Sequence, residues 1–502
     1  MPKEERRGVS QSEAASYLRR IAQNAAITAG GTLFGQVLGP VIGVVTTRAL
    51  GAELYGLYTL LVQWGGFAAE LAKAGFGAAL VRFVGVYRAR GQTQQLKGAI
   101  WAGLRWAGLV GGGFTLVALV ASEPVSQLLL RHPEAAAALR FYGPAIVLTA
   151  LYGIVLAVLT GFQQQRFVQL SNAVVGGIVK LVSLLLLLWA GAGLYAALGS
   201  SLLQDVAILL LGLVFLRRVF PELWKPAVQM QTEWRALLSY GLTIFATSLF
   251  YRYTFQLDVL VLGMFRSAAE VGLYAVALRL QPLLTLPTYA LGETFNPVVA
   301  ELFSREERGA LQAVYRSTVR WSLLLTFPLV LPLLMVPEAV LRLFGAEFAA
   351  AAPVLRWVSV GTWLGAALGI AGYVLNMAGK PQVNLLNGIL TAVLNLGLFF
   401  WLIPHFGMLG AAWTYAGVNV GIALLRMGQV WWLFRLHPWD ATLGKAFLVV
   451  AAALSGGVLS ASLSSGWGGT LVGLGIFGVL LPVAVSRDDR ELWVQWRKRR
   501  ES

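Results

Sequence analysis

Two arginines stand inside stretches that are otherwise apolar enough to cross a membrane. Arg252 lies within "SLFYRYTFQLDVLVLG" (residues 248–263), and Arg279 lies in the next apolar stretch. A charge at mid-bilayer costs about 2.5–3.5 kcal/mol on insertion scales and marks a functional position by default. At a rise of about 1.5 Å per residue, both arginines fall near the midplane of adjacent helices. Two such charges repel unless an anion lies between them, so the pair predicts an anion-binding clamp.

Polar and aromatic side chains surround Arg252 along the same helix. Gln256 follows it by four residues and shares its face, while Tyr251 and Phe255 flank that face. A polar stripe with aromatic shoulders is typical of a water-filled cavity that also contacts sugar. The alternative is that Arg252 pairs with a carboxylate and holds helices together. Asp258 lies on another face of this helix and does not supply that carboxylate.

Further charged residues inside or beside the spans are candidates for coupling or gating. Lys180 and Asp205 reach similar depth and are most simply an ion pair, with substrate contact by Lys180 and a cation or proton site at Asp205 as the alternative. Asp258 suits an outer gate or a helix-end partner, with proton coupling left open. Arg48 is a candidate for closing an outer gate. Pro40 invites a kink in the first span, although simple helix packing would also explain its glycine-rich surroundings.

The composition is that of a membrane protein. Of 502 residues, 57% are hydrophobic and 12% charged, and the mean hydropathy is +0.70. Soluble domains average about 45–50% apolar and about 25% charged residues. The absence of cysteine excludes thiol chemistry, and three dispersed histidines form no metal-ligand spacing, so neither metal nor cofactor is expected. The net charge of +16 is better explained by topology than by nucleic-acid binding.

Hydropathy on a scale of about 20 residues per span predicts fourteen transmembrane helices. They cover roughly 24–48, 55–74, 98–121, 139–161, 167–189, 193–216, 237–262, 270–295, 313–336, 353–377, 382–404, 408–433, 442–464 and 468–486. With both termini inside, 27 of the 39 lysines and arginines fall in inner segments and six in outer ones. This bias predicts a multi-pass protein of the cytoplasmic membrane with both termini cytoplasmic.

The two halves of the chain are related by a weak internal repeat. "YGLYTLL" recurs as "VGLYAVA", which places Gly56 against Gly272 at an offset of 216, and two further matches have an offset of 215. A unit of six spans keeps its orientation, so the repeats are parallel. The predicted divisions are a cytoplasmic tail (1–20), an N-lobe (21–220), a C-lobe (221–436), two extra helices (437–486) and a basic cytoplasmic tail (487–502).

The repeat also relates the two arginines to neutral amides. Subtracting 216 from Arg252 and Arg279 gives Gln36 and Gln63 in the first two spans. Arginine suits phosphate, whereas amides suit sugar hydroxyls. The sequence therefore predicts a central cavity with one cationic wall and one neutral polar wall.

Several short motifs carry a family resemblance. "TTRALGAELYGLYTLL" (46–61), "LDVLVLGMF" (257–265) and "NMAGKPQVNLLNGI" (376–389) resemble the Wzx-type polysaccharide-flippase branch of the MOP transporter superfamily. Lipid II flippases are a sister group. The resemblance implies an all-α, two-lobed core of twelve helices with two additional helices. It also implies alternating-access transfer of undecaprenyl-pyrophosphate-linked oligosaccharide from the inner to the outer leaflet.

The same resemblance implies a transporter rather than an enzyme, in contact with membrane lipids, with H+ or Na+ and polysaccharide polymerase machinery as further candidate partners. Four alternatives stay open. They are a lipid II-type flippase, a cation-coupled multidrug exporter of the same superfamily, a membrane glycosyltransferase or ligase, and an unselective lipid scramblase. The scarcity of mid-membrane carboxylates argues against the exporter. The short outer loops argue against the transferase.

Overall fold

The computed structural model describes residues 11–127, 132–133, 135–226, 228–248, 257–463 and 466–485. Within these ranges the regular secondary structure is helical and includes no strand. Ten helices in this part of the chain are long and apolar enough to cross a membrane. This confirms an all-α, multi-pass membrane protein.

Two of these helices each contain two predicted spans. Gln11–Lys73 (α1) leaves helical geometry at Gly51, and Pro381–Phe434 (α18) does so at Gly407. Both glycines have positive φ, 73° and 56°. L-residues with a side chain rarely adopt these values, so glycine permits each break.

The first compact unit comprises the described residues up to Ala49 together with Leu61–Ala246. Its core is built around the helix Pro144–Gly161. This helix packs against three others, Phe76–Ala89, Thr93–Val120 and Leu194–Val219. A π-helical turn, Leu170–Val175, joins α7 to α8. The helices of this unit after α1 are Phe76–Ala89 (α2), Thr93–Val120 (α3), Ser122–Val125 (α4), Ala135–Tyr142 (α5), Pro144–Gly161 (α6), Gln165–Gln169 (α7), Gly176–Trp189 (α8), Leu194–Val219 (α9) and Trp234–Ser248 (α10), of which α10 ends just past the unit.

The second unit comprises Leu50–Leu60 and the described residues from Thr247 onward. Its core is formed by α18 together with the helices Arg308–Met335 and Ala352–Leu368. A 3-10 helix, Ala346–Ala351, precedes α16. The helices of this unit besides α18 are Leu257–Phe265 (α11), Ala268–Leu278 (α12), Gln281–Ser304 (α13), Arg308–Met335 (α14), Pro337–Leu341 (α15), Ala352–Leu368 (α16), Ala371–Met377 (α17), Ala441–Leu463 (α19) and Gly466–Ala484 (α20).

The bounds of these units are not those of the predicted lobes, 21–220 and 221–436. The segment Leu50–Leu60 belongs to the second unit, and the linker after α9 belongs with α10 to the first. The buried ammonium of Lys97 holds this linker by donating to the carbonyls of Lys225, at 2.5 Å, and Val228, at 3.1 Å. Such contacts are made between residues far apart in the chain, so hydropathy does not reveal them.

The start of α10 is fixed against α2 by polar and aromatic contacts. Tyr87 donates to Glu233 at 3.1 Å, and the guanidinium carbon of Arg82 lies 4.5 Å from the centre of the Tyr240 ring. Burial and the neighbouring Glu233 carboxylate raise the pKa of Tyr87 to about 12, so this hydroxyl remains a donor at neutral pH.

The last two helices dock on α14 in the second unit. α19 and α20 pack against each other and against α14, with close glycine contacts between them. Arg320 of α14 is 2% exposed. Its guanidinium donates to Thr442 Oγ1 at 2.7 Å and lies 3.9 Å from Asp440. These contacts attach the start of α19, beyond the predicted twelve-helix core.

Replacing Lys97 with Met should loosen the linker between α9 and α10. Methionine keeps an apolar stem of similar length but removes the donors that satisfy two linker carbonyls. We expect chymotrypsin to cleave after the exposed Trp224 faster in Lys97→Met than in the unaltered protein. The control is Gln95→Ala, which removes an exposed amide contact to the same linker. Equal cleavage rates in the two variants would contradict this role for Lys97.

Candidate cargo-binding and gating site

The repeated glycines Gly56 and Gly272 meet at a close helix crossing in the second unit. A Cβ added to Gly56 would lie 1.7 Å from the carbonyl oxygen of Ala268, and one added to Gly272 would lie 2.0 Å from that of Ala52. The offset of 216 relates residue 52 to 268 and residue 56 to 272, so the repeat exchanges the two contacts with each other. Such reciprocity is typical of a contact across a two-fold axis. The segment after Gly51 and α12 therefore pack as pseudo-equivalent halves.

Carboxylates from other parts of the second unit cap the helices that begin at the two glycine breaks. Glu347 accepts from the backbone N–H after Gly51 at 2.9 Å. Glu270 accepts from the backbone N–H after Gly407 at 3.2 Å. The first N–H groups of a helix lack partners within the helix and carry partial positive charge, so an acidic partner stabilises them.

Arg279 lies where α12 ends, next to this crossing. Its Nε donates to the hydroxyl of Tyr55 at 2.5 Å, and its guanidinium carbon lies 5.4 Å from the centre of the Tyr55 ring. Tyr55 is 1% exposed, and the ring of Phe348 meets it edge-on at 6.1 Å. The predicted anion-binding arginine is thus engaged by the residue that directly precedes Gly56.

Asp258 is fully buried at the second position of α11. It accepts from the hydroxyl of Tyr274 and from the backbone N–H of Val259, both at 2.7 Å. A buried carboxylate requires such donors because it has lost its hydration. Asp258 is therefore held by α12 and by its own helix, and its gating or coupling role stays a prediction.

Asp205 and Lys180 lie in the first unit. Asp205 is 7% exposed and accepts from Thr149 at 2.9 Å. Lys180 is close enough to act electrostatically on this carboxylate, as is Tyr152. The predicted pair is therefore part of a wider polar group on α6, α8 and α9.

Four more predicted residues lie on α1. Gln36 and Gln63 are half-buried, and the side-chain oxygen of Gln36 has no hydrogen-bond partner within the described ranges. Arg48 is exposed. Pro40 lies inside α1, where the backbone leaves helical values at Gly51 rather than at the proline.

Arg252, Tyr251 and Gln256 lie outside the described residues, in the gap between α10 and α11. The proposed pairing of Arg252 with Arg279 therefore stays a prediction. The substrate-binding roles of Tyr251 and Gln256 likewise stay predictions.

Sequence reasoning missed the partners that hold the predicted charges. Tyr55 lies in a repeated motif, but nothing in that motif connects it with Arg279, which is 224 positions away. Tyr274, the donor to Asp258, lies in the matching copy of the same motif. The repeat was the available signal, since it singled out the two segments that cross.

The fold is that of a multi-pass transporter of the MOP type. The chain superposes on the lipid II flippase MurJ in its inward closed conformation with a TM-score of 0.74 at 12% identity, covering 91% of this chain and 98% of that one. At this identity the likeness concerns the fold alone.

Two protein-family models match the sequence. The model described as "Polysaccharide biosynthesis protein" matches residues 21–303, and the MatE model matches residues 243–401. The chain belongs to the polysaccharide biosynthesis protein family, within the MOP superfamily.

Archaeal relatives are similar over part of their length. An uncharacterized membrane protein of Methanocaldococcus jannaschii is 27% identical over 58% of this chain and 58% of its own length. The probable low-salt glycan biosynthesis flippase Agl15 of Haloferax volcanii is 28% identical over 45% of this chain and 48% of its own. The matches thus span about half the length of these relatives.

Replacing Gly272 with Leu should force the crossing apart. The new side chain would meet the Ala52 carbonyl, a backbone atom that cannot move aside, and overpacking typically costs about 1–3 kcal/mol. We expect a lower midpoint of thermal unfolding in detergent. The control is Gly417→Leu, also within a helix, where an added Cβ has nothing within 4 Å. Equal midpoints for the two variants would argue against a tight crossing.

Replacing Tyr274 with Phe should destabilise the second unit. The change leaves buried Asp258 without its side-chain donor, which costs about 1–3 kcal/mol. Thermal unfolding measures the loss, with the exposed Tyr289→Phe as control. Replacing both partners, in Asp258→Leu with Tyr274→Phe, should recover part of the stability, because no buried carboxylate then lacks a partner. Additive losses in the double variant would contradict the coupling.

Proposed function

We propose that this protein is a flippase for lipid-linked oligosaccharide. Its cargo is an undecaprenyl-pyrophosphate-linked glycan, moved from the inner to the outer leaflet of the cytoplasmic membrane by alternating access. Family membership supports the proposal, as do the flippase in the name of the Haloferax relative and the fold shared with MurJ. The observation that carries it is Arg279, a permanent cation at a helix break inside a predicted span.

The charge of the cargo explains why arginine suits this position. Pyrophosphate carries several negative charges, and a guanidinium binds phosphate oxygens through two parallel hydrogen bonds. Arg252, with Tyr251 and Gln256, would extend the cationic wall of the cavity. Gln36, Gln63 and, as the alternative to its ion pair, Lys180 would be further substrate-binding residues, since amides suit sugar hydroxyls. The headgroup then crosses inside the protein while the lipid tail stays in the bilayer.

Coupling to H+ or Na+ remains part of the proposal. The buried carboxylates of Asp205 and Asp258 are the candidates, and Arg48 and Pro40 are candidates for gate movement. Both termini would be cytoplasmic, consistent with the distribution of basic residues. Polysaccharide polymerase machinery and membrane lipids would be the partners.

A multidrug exporter of the same superfamily is the second candidate, because the MatE model matches residues 243–401. Cationic drugs would require an acidic cavity. Arg279 opposes that requirement, and Asp258 is already engaged by Tyr274. A lipid II-type flippase is a further alternative, which the fold shared with MurJ supports. A transferase is less suited to this chain, whose relatives include probable flippases.

Replacing Arg279 with Ala should abolish most transport of a pyrophosphate-linked glycan in proteoliposomes. Loss of a charge-assisted, bidentate contact costs about 1.5–3 kcal/mol, which corresponds to a loss of roughly tenfold to a hundredfold. Arg279→Lys keeps the charge but cannot make two parallel hydrogen bonds to phosphate, so its transport rate should be intermediate. Arg252→Ala tests the second arginine. Undiminished transport in both alanine variants would sink the anion-cavity proposal. Export of a cationic dye by the unaltered protein would favour the exporter instead.

A further inference from the structure

We propose that Tyr55 is a positioning residue for Arg279, and that the anionic group of the cargo competes with Tyr55 for the guanidinium. When the anion takes Arg279, the segment that carries Tyr55 is released from its crossing with α12. The identity of the anion as pyrophosphate rests on the proposed function. The contact between Tyr55 and Arg279 does not.

Tyr55 holds Arg279 through both its hydroxyl and its ring. Arg279 Nε donates to the Tyr55 hydroxyl at 2.5 Å while the guanidinium also lies against the Tyr55 ring. Both interactions use the same side chain, so hydroxyl and ring together fix the direction of the guanidinium. Since Tyr55 is almost wholly buried, this geometry is protected from water.

A phosphate is a stronger hydrogen-bond acceptor for Arg279 than the Tyr55 hydroxyl is. The Tyr55 hydroxyl is a neutral acceptor that takes one hydrogen bond. A phosphate oxygen is charged, and two such oxygens accept the fork of the guanidinium together, in bonds roughly twice as strong as neutral ones. An anion that binds the edge of the guanidinium formed by Nε and one Nη therefore displaces Tyr55 from Nε, whereas neutral sugars do not.

Displacement of Tyr55 from Arg279 also weakens the helix crossing between the segment Leu50–Leu60 and α12. Tyr55 directly precedes Gly56, which packs on the backbone of α12. Other contacts of this segment include the cap from Glu347, the edge of Phe348 against Tyr55 and the close approach of Leu60 to Gly263. Displacement of Tyr55 from Arg279 therefore removes one charge-assisted contact from this crossing. The segment Leu50–Leu60 becomes easier to detach.

A fixed structural contact would behave differently. In that case Tyr55 and Arg279 would stay together whatever anion is present, and removal of the hydroxyl would only lower stability. Competition instead predicts that the crossing opens in response to the anion. It also predicts that this response depends on the Tyr55 hydroxyl as well as on Arg279.

Because the chain has no cysteine, a single reporter thiol can follow the crossing. Ala52→Cys places it at a residue that is 5% exposed and whose carbonyl contacts α12. The full-length protein in proteoliposomes is treated with a water-soluble maleimide, with and without inorganic pyrophosphate on both sides. Sodium chloride of matched ionic strength is the salt control.

Pyrophosphate should raise the labelling rate of the reporter protein roughly tenfold to a hundredfold, the change expected when one buried charge-assisted hydrogen bond is lost. Tyr55→Phe, which keeps the ring, should label fast without pyrophosphate and respond little to it. Arg279→Gln should likewise show no response. Tyr274→Phe removes a hydroxyl from an equally buried tyrosine and should keep the response, which separates competition from general loosening.

Two results would overturn the proposal. One is a labelling rate in the reporter protein that pyrophosphate does not change, and the other is a Tyr55→Phe variant that labels and responds like its parent. The assay requires no glycan transport. If labelling responds as expected but no glycan is flipped, the proposed function fails while the competition at Arg279 stands.

Discussion

The arrangement of the second unit depends on a contact between backbones rather than side chains. At Gly56 and Gly272 the two pseudo-equivalent segments approach until each carbonyl occupies the space of the other's missing Cβ. Small residues permit such approach between membrane helices, where apolar surface alone gives no advantage over lipid. The position of Tyr55 beside Arg279 follows from this crossing, because a wider separation would part the hydroxyl from the guanidinium.

Charge is placed around this crossing in a consistent way. Glu347 and Glu270 accept from the N–H groups that follow the two glycine breaks, and Tyr274 and Val259 donate to Asp258. Each of these carboxylates thereby has a partner from another element or from its own backbone. Arg279 differs, since the hydroxyl and the ring of Tyr55 that hold it are both neutral. Among these groups it is the charge with most to gain from an anion.

Much of the architecture could be predicted from the sequence, because hydropathy and the distribution of basic residues depend on local composition. The repeat even identified Gly56 and Gly272. That these glycines meet could not be deduced, since a match in sequence implies similar structure and not contact. Arg279 was selected for its depth, but its partner Tyr55 is 224 positions away, and Glu347 caps a residue 295 positions away. Pairings over such separations depend on how the helices pack, which one sequence does not specify.

The break between α12 and α13 has a consequence for what this turn can recognise. Pro282 has no N–H, so the helical hydrogen bond to the carbonyl of Leu278, next to Arg279, cannot form. A carbonyl deprived of its helical donor inside a membrane protein must find another one. A group that this turn recognises must therefore leave the donor of that carbonyl in place while it meets the Arg279 guanidinium. Recognition at this bend is thus limited by the backbone as well as by charge.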